Sequence, residues 1–329
     1  MAEMSKSDRV KAAIGGEAVD RPPVALWRHF PGDDQRPEDL AQATVAFQRR
    51  YDFDFVKVTP ASSFCLRGWG SQDRWMGTME GTRDYTVYPI QSAEDWRGLT
   101  PLDPGEGSLG AQLRCLRLIA DDLAGEVPFI QTIFNPLSQA KNLVGPERLP
   151  AHLRRYPDAV CDGLEVITET TERFIAAACE MGIAGIFFAV QHAQYGLLSE
   201  EEYNTFGRPY DLRLLEAVDG LWLNVLHLHG TDVMFDLLVD YPVQVINWHD
   251  RETWPNLAEG KKLFSGAVCG GLQRWEVMVQ GTPTQVWEQA VDAIAQTDGE
   301  RFILGTGCVT PIVAPTSNIR AVRAAVETD

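Results

Sequence analysis

The sequence is short of positive charge. Its 29 Lys and Arg stand against 46 Asp and Glu, a formal net charge of −17 over 329 residues. No block of five or six basic residues occurs, so the positive footprint that nucleic acids and anionic membranes require is missing. Long apolar runs are missing too: no stretch approaches the ~18–20 residues of a membrane span. The opening MAEMSKSDRVKAAIGG is polar and lacks the apolar segment of a secretory signal. Six cysteines lie singly, at 65, 115, 161, 179, 269 and 308, without the dense spacing of a disulfide framework. These absences predict a cytoplasmic protein with no nucleic-acid or membrane partner.

Internal repeats, low-complexity tracts and linkers are also absent, and no G-x-G-x-x-G follows an early strand, so the dinucleotide fingerprint is missing. What is present is a 45% hydrophobic chain with regular alternation. GIFFAVQ (185–191), WLNVLHLH (222–229), VQVINWH (243–249), LFSGAVCGG (263–271) and RFILGTGC (301–308) read as strands covered on both faces. Earlier, PPVALWRH (22–29), FDFVKVT (53–59) and VPFIQTIF (127–134) read the same way. Helical segments separate them, with a capping box at Ser199–Glu202, a cap and first-turn proline at Thr282-Pro283, a short helix over 232–240 and a last one from Pro315. Eight strand–helix units in series predict a single (β/α)8 TIM-type barrel over 1–329. Residues 60–126, rich in Gly, Trp and Arg, are expected to form an insertion after the second strand, with a loop and hairpin over one barrel mouth.

Active sites of such barrels lie at the C-terminal ends of the strands. Five of the six histidines fall at those ends, in Arg28-His29, Gln191-His192, His227-Leu228-His229 and Trp248-His249, and Cys269 and Cys308 join them. His227 and His229, two apart, project to one side of their strand, ~6–7 Å apart along it. The last strand's tip can bring Cys308 to face them. Two imidazoles and a thiolate are a catalytic zinc set; packed, hydrogen-bonded core histidines with a small apolar Cys remain the other reading. Arg28 could clamp an anion bidentately or pair with Asp33 or Asp34. His192 and His249 are candidates for proton transfer, or loop anchors. Gln131 and Gln191 could orient substrate, and Trp27, Trp69 and Trp248 could wall a flat ligand or simply pack.

RVKAAIGGEAVDRPPVALWR, GIFFAVQ, VLHLHG, VINWHDR and ILGTGCVTPIVAPTSNIRAV resemble the uroporphyrinogen decarboxylase superfamily over almost the whole chain. The resemblance implies a TIM-type barrel with a deep cleft at its C-terminal mouth. Arg28 matches the first arginine of the decarboxylases' substrate loop, but HFPGDD follows where a second arginine is expected. KVTPASS places Thr59 and Pro60 where their essential aspartate stands, and Cys308 takes the place of their final histidine. The other branch, cobalamin-dependent methyltransferases, holds zinc with H-x-C and a distant Cys. His227, His229 and Cys308 are similar to that set, with His229 standing for its first cysteine. This resemblance implies zinc, a corrinoid (cobalamin) methyl donor on a separate carrier protein, and a small acceptor such as a thiol. The alternatives are a carboxy-lyase acting on a tetrapyrrole or smaller carboxylated substrate, anchored by Arg28, and a non-catalytic barrel binding a corrinoid or tetrapyrrole. A homodimer is left open.

Overall fold

The computed structural model describes residues 3–327. Seven parallel strands form one curled sheet in the order β1 (Val56–Val58), β4 (Phe129–Phe134), β5 (Gly185–Val190), β6 (Val225–Leu228), β7 (Val245–Trp248), β8 (Ala267–Leu272) and β9 (Phe302–Thr306). Every residue of these strands is buried, as continuous apolar runs with helices outside and a core inside should be.

The first expected strand, 22–29, is reduced to a single bridge between Val24 and Leu304. Pro22 and Pro23 have no N–H to give a ladder. The segment still closes the ring: Leu304 N–H bonds Pro23 O, Ala25 N–H bonds Leu304 O, and Asp54 N–H bonds Val24 O. The wall is therefore seven strands plus a bridging segment between β9 and the start of β1.

Helix ends follow their sequence signals. Ser199 and Thr282 close capping boxes on Glu200–Phe206 and Pro283–Thr297, and Pro315 precedes Thr316–Ala324. The helix expected over 232–240 shrinks to Phe235–Leu238; Asp232 lies in the left-handed region, at φ 52, so helical geometry cannot begin there. Within 60–126, β2 (Gln72–Arg74) and β3 (Asp84–Val87) pair as an antiparallel hairpin. The hairpin is tied down by Glu80 to Arg274 at 2.8 Å and by Ile312 N–H to Met79 O at 2.9 Å.

Alternation along each strand decides what reaches the interior. Lys57 on β1 with Thr59 just after it, Thr132 and Phe134 on β4, Phe187 and Ala189 on β5, and His227 on β6 with His229 just after it face one cavity at the strands' C-terminal end. At the opposite end, Arg9 and Arg21 converge on buried Asp54, each at 2.7 Å, and Arg9 also holds Asp20 at 2.6 Å.

Candidate metal centre

β6 points His227 inward, and the chain leaving it adds His229 on the same side, as the two-residue spacing requires. Next to it, β7 points Asn247 inward and delivers His249 one pleat further on. Cys308 follows β9, brought close by Gly307: a Cβ at that glycine would lie 2.7 Å from Trp248 O and 2.8 Å from His249 Cα. Only glycine permits that approach of the two chain ends.

One donor atom from each of His227, His229, His249 and Cys308 lies within 4.8 Å of the others. The imidazole ring centres of His227, His229 and His249 are 5.8, 6.1 and 5.3 Å apart pairwise, and Cys308 Sγ lies 3.6 Å from His229 Nδ1. His227 Nδ1 bonds Asn247 Oδ1 at 2.7 Å, while Asn247 Nδ2 donates to Cys269 O and Thr306 O. Both amide hydrogens are thus committed, the oxygen must accept, and His227 presents Nε2 to the cluster. His249 Nδ1 is held by Glu252 at 3.2 Å, which turns its Nε2 inward as well. Both Nε2 atoms are buried without a hydrogen-bond partner. Imidazoles oriented through the far nitrogen by an amide oxygen and a carboxylate are what a metal requires of its histidines. The donor set fits a first-row divalent ion, with sulfur and imidazole favouring zinc.

The electrostatics agree. Burial alone would raise the Cys308 thiol, but His227 and the close imidazoles of His229 and His249 hold it well below its ordinary range. Burial depresses His227. At His249 burial acts the same way, yet the neighbouring Cys308 sulfur and the Glu252 carboxylate outweigh it and raise the group to about 9.

The cluster forms one wall of a cavity of about 350 Å³, the size of a small-ligand site. Two lysines also line it. Burial pushes Lys57 down to about 7, with Cys308 pulling weakly back, and pushes Lys141 down to about 8. His29 lines it too, lowered to about 4 by burial and then by Lys57.

Of the residues singled out in the sequence, His227, His229 and Cys308 come together, and His249 joins them as a fourth donor rather than standing apart as a proton-transfer group. Trp27 and Gln191 line the cavity. Arg28 does not: one residue out of phase with Trp27 and His29, it points outward and lies over the rings of Phe30 and Phe47, at 5.3 and 5.7 Å. Of the two aspartates it was expected to pair with, Asp34 is taken by Arg83 at 3.2 Å, and Asp33 makes no ion pair with it among the described residues. Gln131 is out of phase with Thr132 and bonds Gln112 on the outer helix at 2.8 Å. Trp248 likewise faces out, its ring against Gly260 and Phe235 and its N–H on Pro255 O. Trp69 gives its N–H to Thr100 O. His192 is buried near Lys141 and His229 but lies off the cavity wall, and burial lowers it to about 3. Lys57, Lys141 and Asn247 were not singled out. Lys57 carried a signal, a lone cation inside the apolar run FDFVKVT at inward phase.

The model of the uroporphyrinogen decarboxylase family matches residues 5–328. The chain belongs to that family. Within it, the chain is 22% identical over 97% of both lengths to the methylcobamide:CoM methyltransferase MtbA of Methanosarcina acetivorans. It is 28% identical, over 69% of its own length and 67% of the other, to a uroporphyrinogen decarboxylase of Syntrophotalea carbinolica. Among solved structures, a methyltransferase from Methanosarcina mazei superposes with a TM-score of 0.86, at 20% identity and 98% coverage of both chains. That likeness establishes the barrel for this family member, with its helices outside and its strand ends at one mouth.

Proposed function

We propose that this family member is a zinc-dependent methyltransferase that moves a methyl group from a methylated corrinoid to a small thiol. The observation that carries the reading is the set of three imidazoles and one thiol, all but His229 buried, of which His227, His229 and Cys308 line a small cavity at the barrel mouth; two of its Nε2 atoms have no partner among the described residues. Full-length similarity to a methylcobamide:CoM methyltransferase supports the same choice.

Held by His227, His229 and Cys308, with His249 within reach of the fourth position that an acceptor would take, zinc would supply Lewis acidity that keeps an acceptor thiol deprotonated near neutral pH. The protein's own groups do the rest. Asn247 and Glu252 fix the two imidazoles whose Nε2 face inward, and Trp27 and Phe187 keep the cavity wall apolar. In the overall reaction the S–CH3 bond forms as the Co–CH3 bond breaks. The electron pair of the broken bond stays on the donor's cobalt, and the thiol proton leaves to solvent.

Size separates donor from acceptor. A corrinoid or a tetrapyrrole macrocycle is too large for about 350 Å³, so a small molecule enters and a large one stays at the rim. The rim loops expose Met76, Met79, Tyr195 and Trp254, apolar surface suited to a partner carrying the corrinoid. The same size argument, with Arg28 turned outward, disfavours tetrapyrrole decarboxylation.

Metal analysis tests the reading. Purified protein is expected to hold about one zinc, and Cys308→Ser and His227→Ala to lose most of it. Cobalt substitution gives an independent signature, a thiolate-to-cobalt absorption band present in wild type and absent in Cys308→Ser. Methyl transfer from methylcobalamin to a thiol should stop on chelation and return with zinc. Full zinc occupancy in both variants, or transfer that survives chelation, overturns the assignment.

A further inference from the structure

Asp211, on the helix Arg208–Glu216, is wholly buried and lies off the cavity wall. Among the described residues no cation pairs with it; Arg208, whose charge it feels, holds Asp240 at 2.5 Å. It is met instead by three donors from two sides. Tyr203 O–H and Tyr241 O–H give to Oδ2 at 2.5 and 2.9 Å, and Asn135 Nδ2 gives to Oδ1 at 2.9 Å. Burial raises the carboxyl to about 6 in spite of them. Asn135 follows β4 and caps the helix Pro136–Val144. Its NH2 is turned to Asp211, so its oxygen faces the helix, where it accepts Ser138 N–H at 3.1 Å and the Ser138 hydroxyl. That hydroxyl, having given its hydrogen, accepts Gln191 N–H at 3.1 Å just past the end of β5. Lys141 and Asn142 on the capped helix, and Gln191 itself, line the cavity. Hydrogen bonds running in one sense thus join a buried carboxylate to two elements of the cavity wall.

We propose that Asp211 is a positioning residue: through Asn135 and Ser138 it fixes the start of the helix Pro136–Val144 and the tip of β5, and with them the places of Lys141 and Gln191 on the cavity wall. The consequence for methyl transfer rests on the methyltransferase reading; the placement of the wall does not. A carboxylate suits the task because both of its oxygens accept, one toward the tyrosines and one toward Asn135. With an amide at 211, an oxygen turned to the tyrosines sets NH2 against the NH2 of Asn135. Were Asn135 to flip in response, its NH2 would face Ser138 N–H and the cap would be lost. Either way the first turn of the helix shifts, and Lys141, one turn beyond Ser138, shifts with it. Burial alone holds Lys141 down at about 8, so an ammonium displaced toward water regains its ordinary 10.5. Loss of the Asp211 charge by itself would lower Lys141, and the sign of the change separates movement from electrostatics.

Selective labelling of the lysine Cε carbons gives a direct readout by NMR, because the chain has six lysines; the Lys141 resonance is assigned by its loss in Lys141→Arg. In wild type it should titrate near 8. In Asp211→Asn its midpoint should move toward 10.5. In methyl transfer from methylcobalamin, the KM for 2-mercaptoethanol should rise at least fivefold, with kcat within twofold and zinc content unchanged. Asn135→Asp, which sets two carboxylates face to face, should do the same and serves where Asp211→Asn does not fold. Combined, the two substitutions exchange amide and carboxylate, place a donor opposite each acceptor again, and should return both readouts to wild type. Tyr241→Phe is the control for a purely structural role. It takes one donor from Oδ2 and lowers stability but leaves the relay, so Lys141 and KM should keep their wild-type values. A Lys141 midpoint that is unmoved in both folded single variants, moved equally by Tyr241→Phe, or not restored by the exchange overturns the proposal. A moved and restored Lys141 in a protein that transfers no methyl group upholds the relay and removes only the methyltransferase reading.

Discussion

At the N-terminal end of the barrel every buried guanidinium has its carboxylate: Arg9 reaches Asp20 and Asp54, Arg21 reaches Asp54, and Asp54 also accepts Val24 N–H at 2.8 Å. At the C-terminal mouth Lys57 and Lys141 have none among the described residues, and two imidazole nitrogens of the histidine cluster have no partner there either. Both ends remove charge from water. Only the first returns the electrostatic energy within the chain itself, which marks it as structural; the second leaves valences for something that binds.

The largest effect that probes this division is at the paired end. Asp54→Asn leaves Arg21 with no carboxylate and Arg9 with one, and breaking a buried pair from one side costs ~3–5 kcal/mol. Urea denaturation should show that loss while zinc content per folded molecule stays at the wild-type level. A variant that folds but loses its metal would mean that the two ends are not separate in role.

Lys57→Met is the matching experiment at the mouth, and its sign is opposite. Burial pushes Lys57 down to about 7 from an ordinary 10.5. Between those values the unfolded chain binds more protons than the folded one, so this group's contribution makes stability rise with pH across that window. Removing the ammonium should therefore stabilise the protein, by a few kcal/mol below pH 7, with the advantage shrinking as pH approaches 10. Lys141 keeps a smaller rise in the variant, and His29, which Lys57 depresses, should titrate higher. Denaturation midpoints measured from pH 6 to 10 decide the matter. A variant less stable than wild type at pH 6 would make Lys57 a structural residue.

The strand ends were legible because buried strands are apolar and their polar terminal residues stand out against them. His227 and His229 could also be given a direction, since their spacing fixes it. The same period applied to the other strands would have turned Arg28, Gln131 and Trp248 outward, because each is one residue off from an inward neighbour: His29, Thr132 and His249. What the sequence could not supply was the phase of each strand before its pairing was known. It also could not show that β7's tip lies against the end of β9, since that approach depends on two backbones separated by some sixty residues and on the missing side chain of Gly307. His249 therefore read as a lone histidine. The eighth strand failed for a local reason, two prolines with no N–H to give.

The smallest predicted effect sharpens the contrast most finely, because Arg28 and Lys57 are both cations near the mouth and differ in phase. The Arg28 guanidinium spreads over Phe30 and Phe47 and reaches Ile312 O at 3.4 Å. An arginine on aromatic faces at a partly open site contributes ~0.5–1 kcal/mol, so Arg28→Gln should lower stability by no more than about 1 kcal/mol. Its zinc content and its rate of methyl transfer should match wild type. Urea denaturation of Arg28→Gln and Lys57→Met, side by side at pH 6, separates the two cations by orientation: the first loses a little stability and the second gains. A tenfold loss of methyl transfer in Arg28→Gln would mean that the segment 22–29 turns on binding to bring the guanidinium inward.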